Sequence, residues 1–141
     1  MPRRIVWALC LVAALWPAGA RAGPMGLNLL PAKLQPSAVP ALFALARATG
    51  ADSVRIPFDW STIDPAPGAH LFARFDEITT DAARANLDVV GVLGPSVAWA
   101  SPGDPQHFAA PWQRSIYLPG SLDDWSEYVD SVVTRYRDQV H

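Results

Sequence analysis

Arg55, Trp60 and Trp99 are the side chains of this sequence best equipped to hold a ligand. A guanidinium presents five N–H donors in a planar fork, and beside a carboxylate it keeps that acid ionised and aimed. An indole offers a flat apolar face with one N–H at its edge, a shape suited to stacking on a sugar ring. Each residue also has a plainer use. Arg55 can pair with a neighbouring acid such as Asp59, and both indoles can pack beneath loops. Trp112, between Pro111 and Arg114, is a candidate wall of a cleft, whereas Trp125 falls on the apolar stripe of a helix and reads as core.

Other chemistries lack their residues. His70, His107 and His141 are scattered with no i, i+4 pair and no cysteine partner, so no metal site is expected. Neither a G-x-S-x-G elbow, a P-loop nor a dinucleotide fingerprint occurs, and no cofactor is expected. The polar residues from Ser101 to Asp104 read as a turn.

The elements that must position Arg55 and the tryptophans follow a simple rhythm. Met25 to Leu30 is a short apolar run closed by Pro31, a first strand. Ser37 can cap a helix with Val39, Leu42, Phe43 and Ala46 on one face, stopped by Gly50. Ser53 to Phe58 is the second strand, and the proline-rich stretch from Asp59 to Gly68 reads as a loop. A helix over 74–86 carries Phe75, Ile78, Ala82 and Ala85. Val89 to Leu93 is continuous and largely β-branched, as in a strand buried on both faces of a parallel sheet. After a long loop from Gly94 to Gly120, Ser121 and Asp124 form a partial capping box. It opens a last helix whose apolar stripe is Leu122, Trp125, Val129, Val132, Val133 and Tyr136.

The order is βαβαβα, which requires a parallel sheet, because parallel neighbours cannot be joined by tight hairpins. Strand starts near 25, 53 and 88 put a fourth strand just after His141. The spacing predicts an α/β fold of parallel strands, a partial (β/α)8 barrel of about three βα units. A small doubly wound domain is the other architecture such an order allows, though the phosphate-binding glycine turn usual there is missing. An incomplete barrel would expose apolar surface and tend to aggregate.

The chain has 141 residues, half of them hydrophobic. Arg3 and Arg4, the apolar run Ile5 to Trp16 and the Ala20-Arg21-Ala22 site have the form of an export signal over residues 1–22. That run is shorter than the roughly 20 residues a membrane helix needs. The mature chain, residues 23–141, is then expected to be secreted or periplasmic, with no membrane contact. Cys10, the one cysteine, would leave with the signal, so no disulfide framework is expected. Arg3, Arg4 and Arg21 leave too, giving eight basic against thirteen acidic residues, a net charge of −5. On that balance nucleic acid is not expected as a partner.

Residues 54–68 (VRIPFDWSTIDPAPG), Phe75-Asp76 and residues 87–100 (LDVVGVLGPSVAWA) together resemble the N-terminal half of clan A glycoside hydrolases, nearest to the family 39 xylosidase-like and family 5 cellulase-like enzymes. The resemblance spans most of the mature chain. It implies a retaining O-glycosyl hydrolase acting on an oligosaccharide or polysaccharide, with Arg55 as the active-site arginine that holds the nucleophile. It also puts Trp60 and Trp99 at the barrel rim as sugar-binding candidates. Such enzymes need two facing carboxyl groups, supplied in clan A by glutamates ending the fourth and seventh strands. The only glutamates here, Glu77 and Glu127, fall in predicted helices, so no catalytic residue is assigned. The resemblance implies an acid/base glutamate a few residues past His141. The expectation is therefore an N-terminal portion, inactive by itself, whose partners are carbohydrate and a C-terminal barrel half. A non-catalytic glycan-binding or interaction module is the alternative.

Overall fold

Among the described residues three strands lie side by side in chain order, β1 (Gly26–Asn28), β2 (Ser53–Phe58) and β3 (Asp88–Leu93), and both pairings between them are parallel. The computed structural model describes residues 24–101 and 118–141. Among the described residues four α-helices connect or follow the strands: α1 (Val39–Ala48), a single turn α2 (Trp60–Ile63), α3 (Ala73–Arg84) and α4 (Leu122–Tyr136). The α/β class with a parallel sheet, read from the element order, is what the chain adopts. The signal-like residues 1–22 lie outside the described residues, as do Trp112, His107 and Arg114.

Strand alternation gives the sheet two unlike faces. Val54, Ile56, Phe58 and Val89 point into the helical layer, where they meet Val39 and Phe43 of α1, Phe75 and Ile78 of α3, and Tyr136 of α4. Phe58 stacks on Phe75 at 4.9 Å between ring centroids and meets Tyr136 at 5.0 Å. The opposite face carries Asn28, Arg55, Asp88 and Val90, all exposed. Here the sequence expectation is corrected: β3 is not covered on both sides, since Val90 is 41% exposed. Its β-branched run reflects strand preference and one packed face rather than two.

Pro57 sets where the first ladder stops. The Leu29 N–H donates to the Arg55 carbonyl at 3.0 Å, and the next rung would need an N–H that proline lacks. β1 therefore ends at Asn28 and the chain turns at Pro31 into a 3-10 turn, Pro31–Lys33.

Helix starts and stops follow local chemistry. Ser37 caps nothing: it lies inside a second 3-10 turn, Pro36–Ala38, and α1 starts with Pro40 near its first position, where a missing N–H costs no bond. Gly50 ends α1 at φ +91°, a conformation that favours glycine. The Ser121 hydroxyl does cap α4, accepting from the N–H groups of Asp123 and Asp124 at 3.2 and 3.3 Å. The buried face of α4 is Tyr128, Val132 and Tyr136, while Leu122 is 72% exposed and Val133 about half exposed. The expected stripe was thus partly misplaced, because Tyr128 is the residue that enters the core.

After α4 a turn at 137–139 brings Val140 into a parallel bridge with Val89. The His141 N–H donates to the Val89 carbonyl at 2.8 Å, and the Gly91 N–H donates to the His141 carbonyl at 3.0 Å. Val140 thus makes an isolated parallel bridge on the outer side of β3.

Candidate functional site

The uncovered face of the sheet holds an exposed polar pair with a defined geometry. Register puts Asn28, Arg55 and Val90 at one level across the three strands, and His141 follows Val140 at the same level beside Val90. Arg55 donates from Nη1 to the Asn28 side-chain oxygen at 3.2 Å. It makes no ion pair with a described residue, so most of its donor fork stays available. The local pairing with Asp59 that its sequence neighbourhood allowed does not form. Asp59 instead pairs with Lys33, whose Nζ lies 3.3 Å from Oδ2.

Trp60 and Trp99 are brought together, but not as two exposed platforms. Trp60 is 1% exposed: Tyr128 stacks on it at 5.1 Å, and Trp99 and Trp125 meet it edge-on at 5.5 and 5.4 Å. A ring enclosed on this scale braces the C-terminal end of β2 and has no face left for a sugar. The binding role expected from its position is therefore corrected to packing. Trp99 is half-buried, and its indole N–H is spent on the Asp64 carbonyl at 2.8 Å. What Trp99 retains for a ligand is part of its surface, without its donor.

Tyr128 is the residue that sequence reasoning missed. It lies three residues after Trp125, so the i, i+3 spacing was the available signal. Its hydroxyl donates to the Phe58 carbonyl and accepts from the Gly94 N–H at 3.1 Å, tying together the C-terminal ends of β2 and β3. Burial pushes the phenol up to about 12. Gly94 has no room for a side chain, because a Cβ there would sit 2.6 Å from the Phe58 carbonyl oxygen and 2.8 Å from the Asp59 Cα.

On the helical side, His70 (φ +47°) stands between Asp64 and Glu127. Its Nδ1 is 3.0 Å from Asp64 Oδ1 but out of hydrogen-bond alignment, and its Nε2 is 3.4 Å from Glu127 Oε1. Both contacts become ionic only with a protonated ring. Among the described residues no group of three metal-ligating side chains forms. Glu77 sits on α3 with Arg74 at 3.3 Å, and Glu127 sits on α4, so both glutamates lie in the helical layer, away from Arg55. Arg135, Asp76 and Tyr136 form a network between α4 and α3, with 2.6 and 2.7 Å bonds from the guanidinium. The Arg135 hydrogen bonds hold the Asp76 carboxyl below its usual range.

The class that fold and site define is an α/β unit with a parallel, sequentially ordered sheet, helices on one face and an arginine–asparagine pair on the other. No protein-family model matches the chain, and no curated protein matches it. Among the described residues no helix is long and apolar enough to cross a membrane.

Proposed function

We propose that the chain is the N-terminal portion of a secreted or periplasmic (β/α)8 glycoside hydrolase of the retaining, clan A type. Arg55 is its contribution to the carbohydrate side. The observation that carries this reading is the Arg55–Asn28 pair, at 3.2 Å, on an uncovered face of a parallel sheet. In a barrel that face lines the interior, and strand-end residues there build the active site.

Two features support the barrel over the doubly wound alternative. Strand order is sequential and the described helices cover one face, whereas a doubly wound sheet reverses direction and carries helices on both. A fork with free donors can hold a nucleophilic carboxylate or a pair of sugar hydroxyls. In this reading the facing glutamates come from a C-terminal barrel half, since Glu77 and Glu127 are on helices. The 141-residue chain then binds oligosaccharide weakly and hydrolyses nothing.

The alternative, a non-catalytic glycan-binding module, is favoured by one observation: no described acid lies within ion-pair distance of Arg55. The test is a titration of the chain with xylo- and cello-oligosaccharides, followed by NMR at Asn28 and Arg55, alongside a reducing-sugar assay. Binding at these residues without turnover supports a carbohydrate role. Turnover by the chain alone would overturn the fragment reading, and no perturbation of either residue by any sugar would overturn both readings.

A further inference from the structure

His70 stands where two acids from distant parts of the chain converge. Asp64, buried at the end of α2, accepts the backbone N–H of His70 on its carboxylate at 2.7 Å. Glu127 reaches over from α4. The imidazole spans the two, with Nδ1 3.0 Å from Asp64 Oδ1 and Nε2 3.4 Å from Glu127 Oε1. His70 is held at φ +47°, a left-handed conformation unfavourable to a residue with a Cβ, two residues after Gly68 at +69°. A strained turn thus sets the ring between both carboxylates.

A neutral imidazole cannot serve this position. It carries one N–H, so one nitrogen turns a lone pair toward a carboxylate oxygen whichever tautomer forms. The buried Nδ1 has no hydrogen-bond partner. An imidazolium presents a donor on each side and a charge opposite to both acids. Among the described residues neither Asp64 nor Glu127 pairs with an arginine or lysine. The other charges around the ring are already matched. From α3, Arg74 pairs with Glu77 and donates to the Pro31 and Leu34 carbonyls, and Asp76 receives the Arg135 fork from α4. Arg135 is held over Phe72, whose ring runs parallel to that of His70 at 6.1 Å. Asp123, Asp124 and Asp130 add acid within a turn of Glu127, and α2 brings no titratable side chain.

We infer that His70 is a proton-dependent clamp that ties the loop of residues 64–71 to α4 when its ring is protonated and releases it when the ring is neutral. Both contacts are ionic only in the protonated form. The clamp therefore belongs to the acid side of the pH 5 to 8 range in which histidine changes charge, and it is lost as pH rises. The same loop anchors Trp99, whose indole N–H donates to the Asp64 carbonyl at 2.8 Å. Proton uptake thus sets how firmly that half-buried indole is held. The clamp uses no atom of the Arg55 face and stands whether or not that face meets carbohydrate.

Hydrogen exchange, followed by NMR in the 141-residue chain, reads the clamp at the Ala69 and Leu71 amides, which bond to the Ala66 and Ile63 carbonyls at 3.2 and 2.7 Å. After correction for the intrinsic pH dependence of exchange, protection should be about five-fold higher at pH 5.5 than at pH 8, the scale of a partly exposed ion pair. His70→Asn should keep the loop, since asparagine tolerates the left-handed backbone, and lose that difference. Glu127→Gln, at an exposed helix position, should lose most of it while melting like the wild type at pH 8. Equal protection at the two pH values in the wild type would overturn the inference, and so would an undiminished difference in His70→Asn. A difference kept in full by Glu127→Gln would overturn it as well, because the tie to α4 would then be absent.

Discussion

Replacing Tyr128 by phenylalanine removes one oxygen from the core and leaves its ring stacked on Trp60. The hydroxyl bridges the Phe58 carbonyl and the Gly94 N–H, yet those two groups also bond each other at 2.8 Å. Deleting the hydroxyl therefore strands no backbone group. The loss should be the net worth of a hydrogen bond, about 1–1.5 kcal/mol, rather than the ~3 kcal/mol expected when a buried partner is orphaned. Tyr128→Ala, which also opens a cavity beside Trp60, should cost about 3–5 kcal/mol. A second signature is alkaline. The unfolded phenol ionises near its ordinary value, whereas burial holds the folded one up to about 12. Between those values the unfolded state binds fewer protons, so stability falls with rising pH, by about 1.4 kcal/mol per unit. Urea melts of wild type and Tyr128→Phe across pH 7 to 11.5 measure both effects. A loss above 3 kcal/mol in Tyr128→Phe at pH 7, or an unchanged alkaline slope, would refute this account of the strand-end lock.

Gly94→Ala should destabilise more than Tyr128→Phe, because its Cβ must displace the backbone of Phe58 and Asp59; thermal melts of the two variants give the order. Ser121→Ala should lower stability by about 1 kcal/mol through loss of the α4 cap, and Ser121→Asp should retain most of it, read by urea titration. Because Arg135 holds the Asp76 carboxyl below its ordinary value, the unfolded state takes up the proton first, and acid should weaken the fold as pH drops below about 4. Asp76→Asn should be less stable at pH 7 and flatter in that acid range, which melts at pH 3 to 7 would reveal.

Periodicity exposed the elements because each has a dominant local signal. Phe75, Ile78 and Ala82 at helical spacing, the apolar run of β3 and the proline after β1 left little choice of class or order. Positions set by more than one element were harder to read. Trp60 looked like a rim residue, but Tyr128, Trp99 and Trp125 close over it from elements far apart in the chain. Val133 looked like stripe and is half exposed, because the α4 face is rotated toward Tyr128 to reach the Phe58 carbonyl. The loop after β2 concealed a helical turn, since Asp59 accepts from both Thr62 and Ile63 through its backbone oxygen, a bond that composition does not signal. For the site, the type and strand of Arg55 were legible, while its partner was not: Asn28 is 27 residues away and comes alongside only through the parallel register.

The central claim is that Arg55 contributes to a carbohydrate site, and calorimetric titration of oligosaccharide into wild type and Arg55→Ala measures it most directly. Loss of a charged donor fork predicts binding weaker by about 10- to 100-fold, with the melting profile unchanged apart from the exposed Asn28 bond. Equal affinity in the two proteins would contradict the claim.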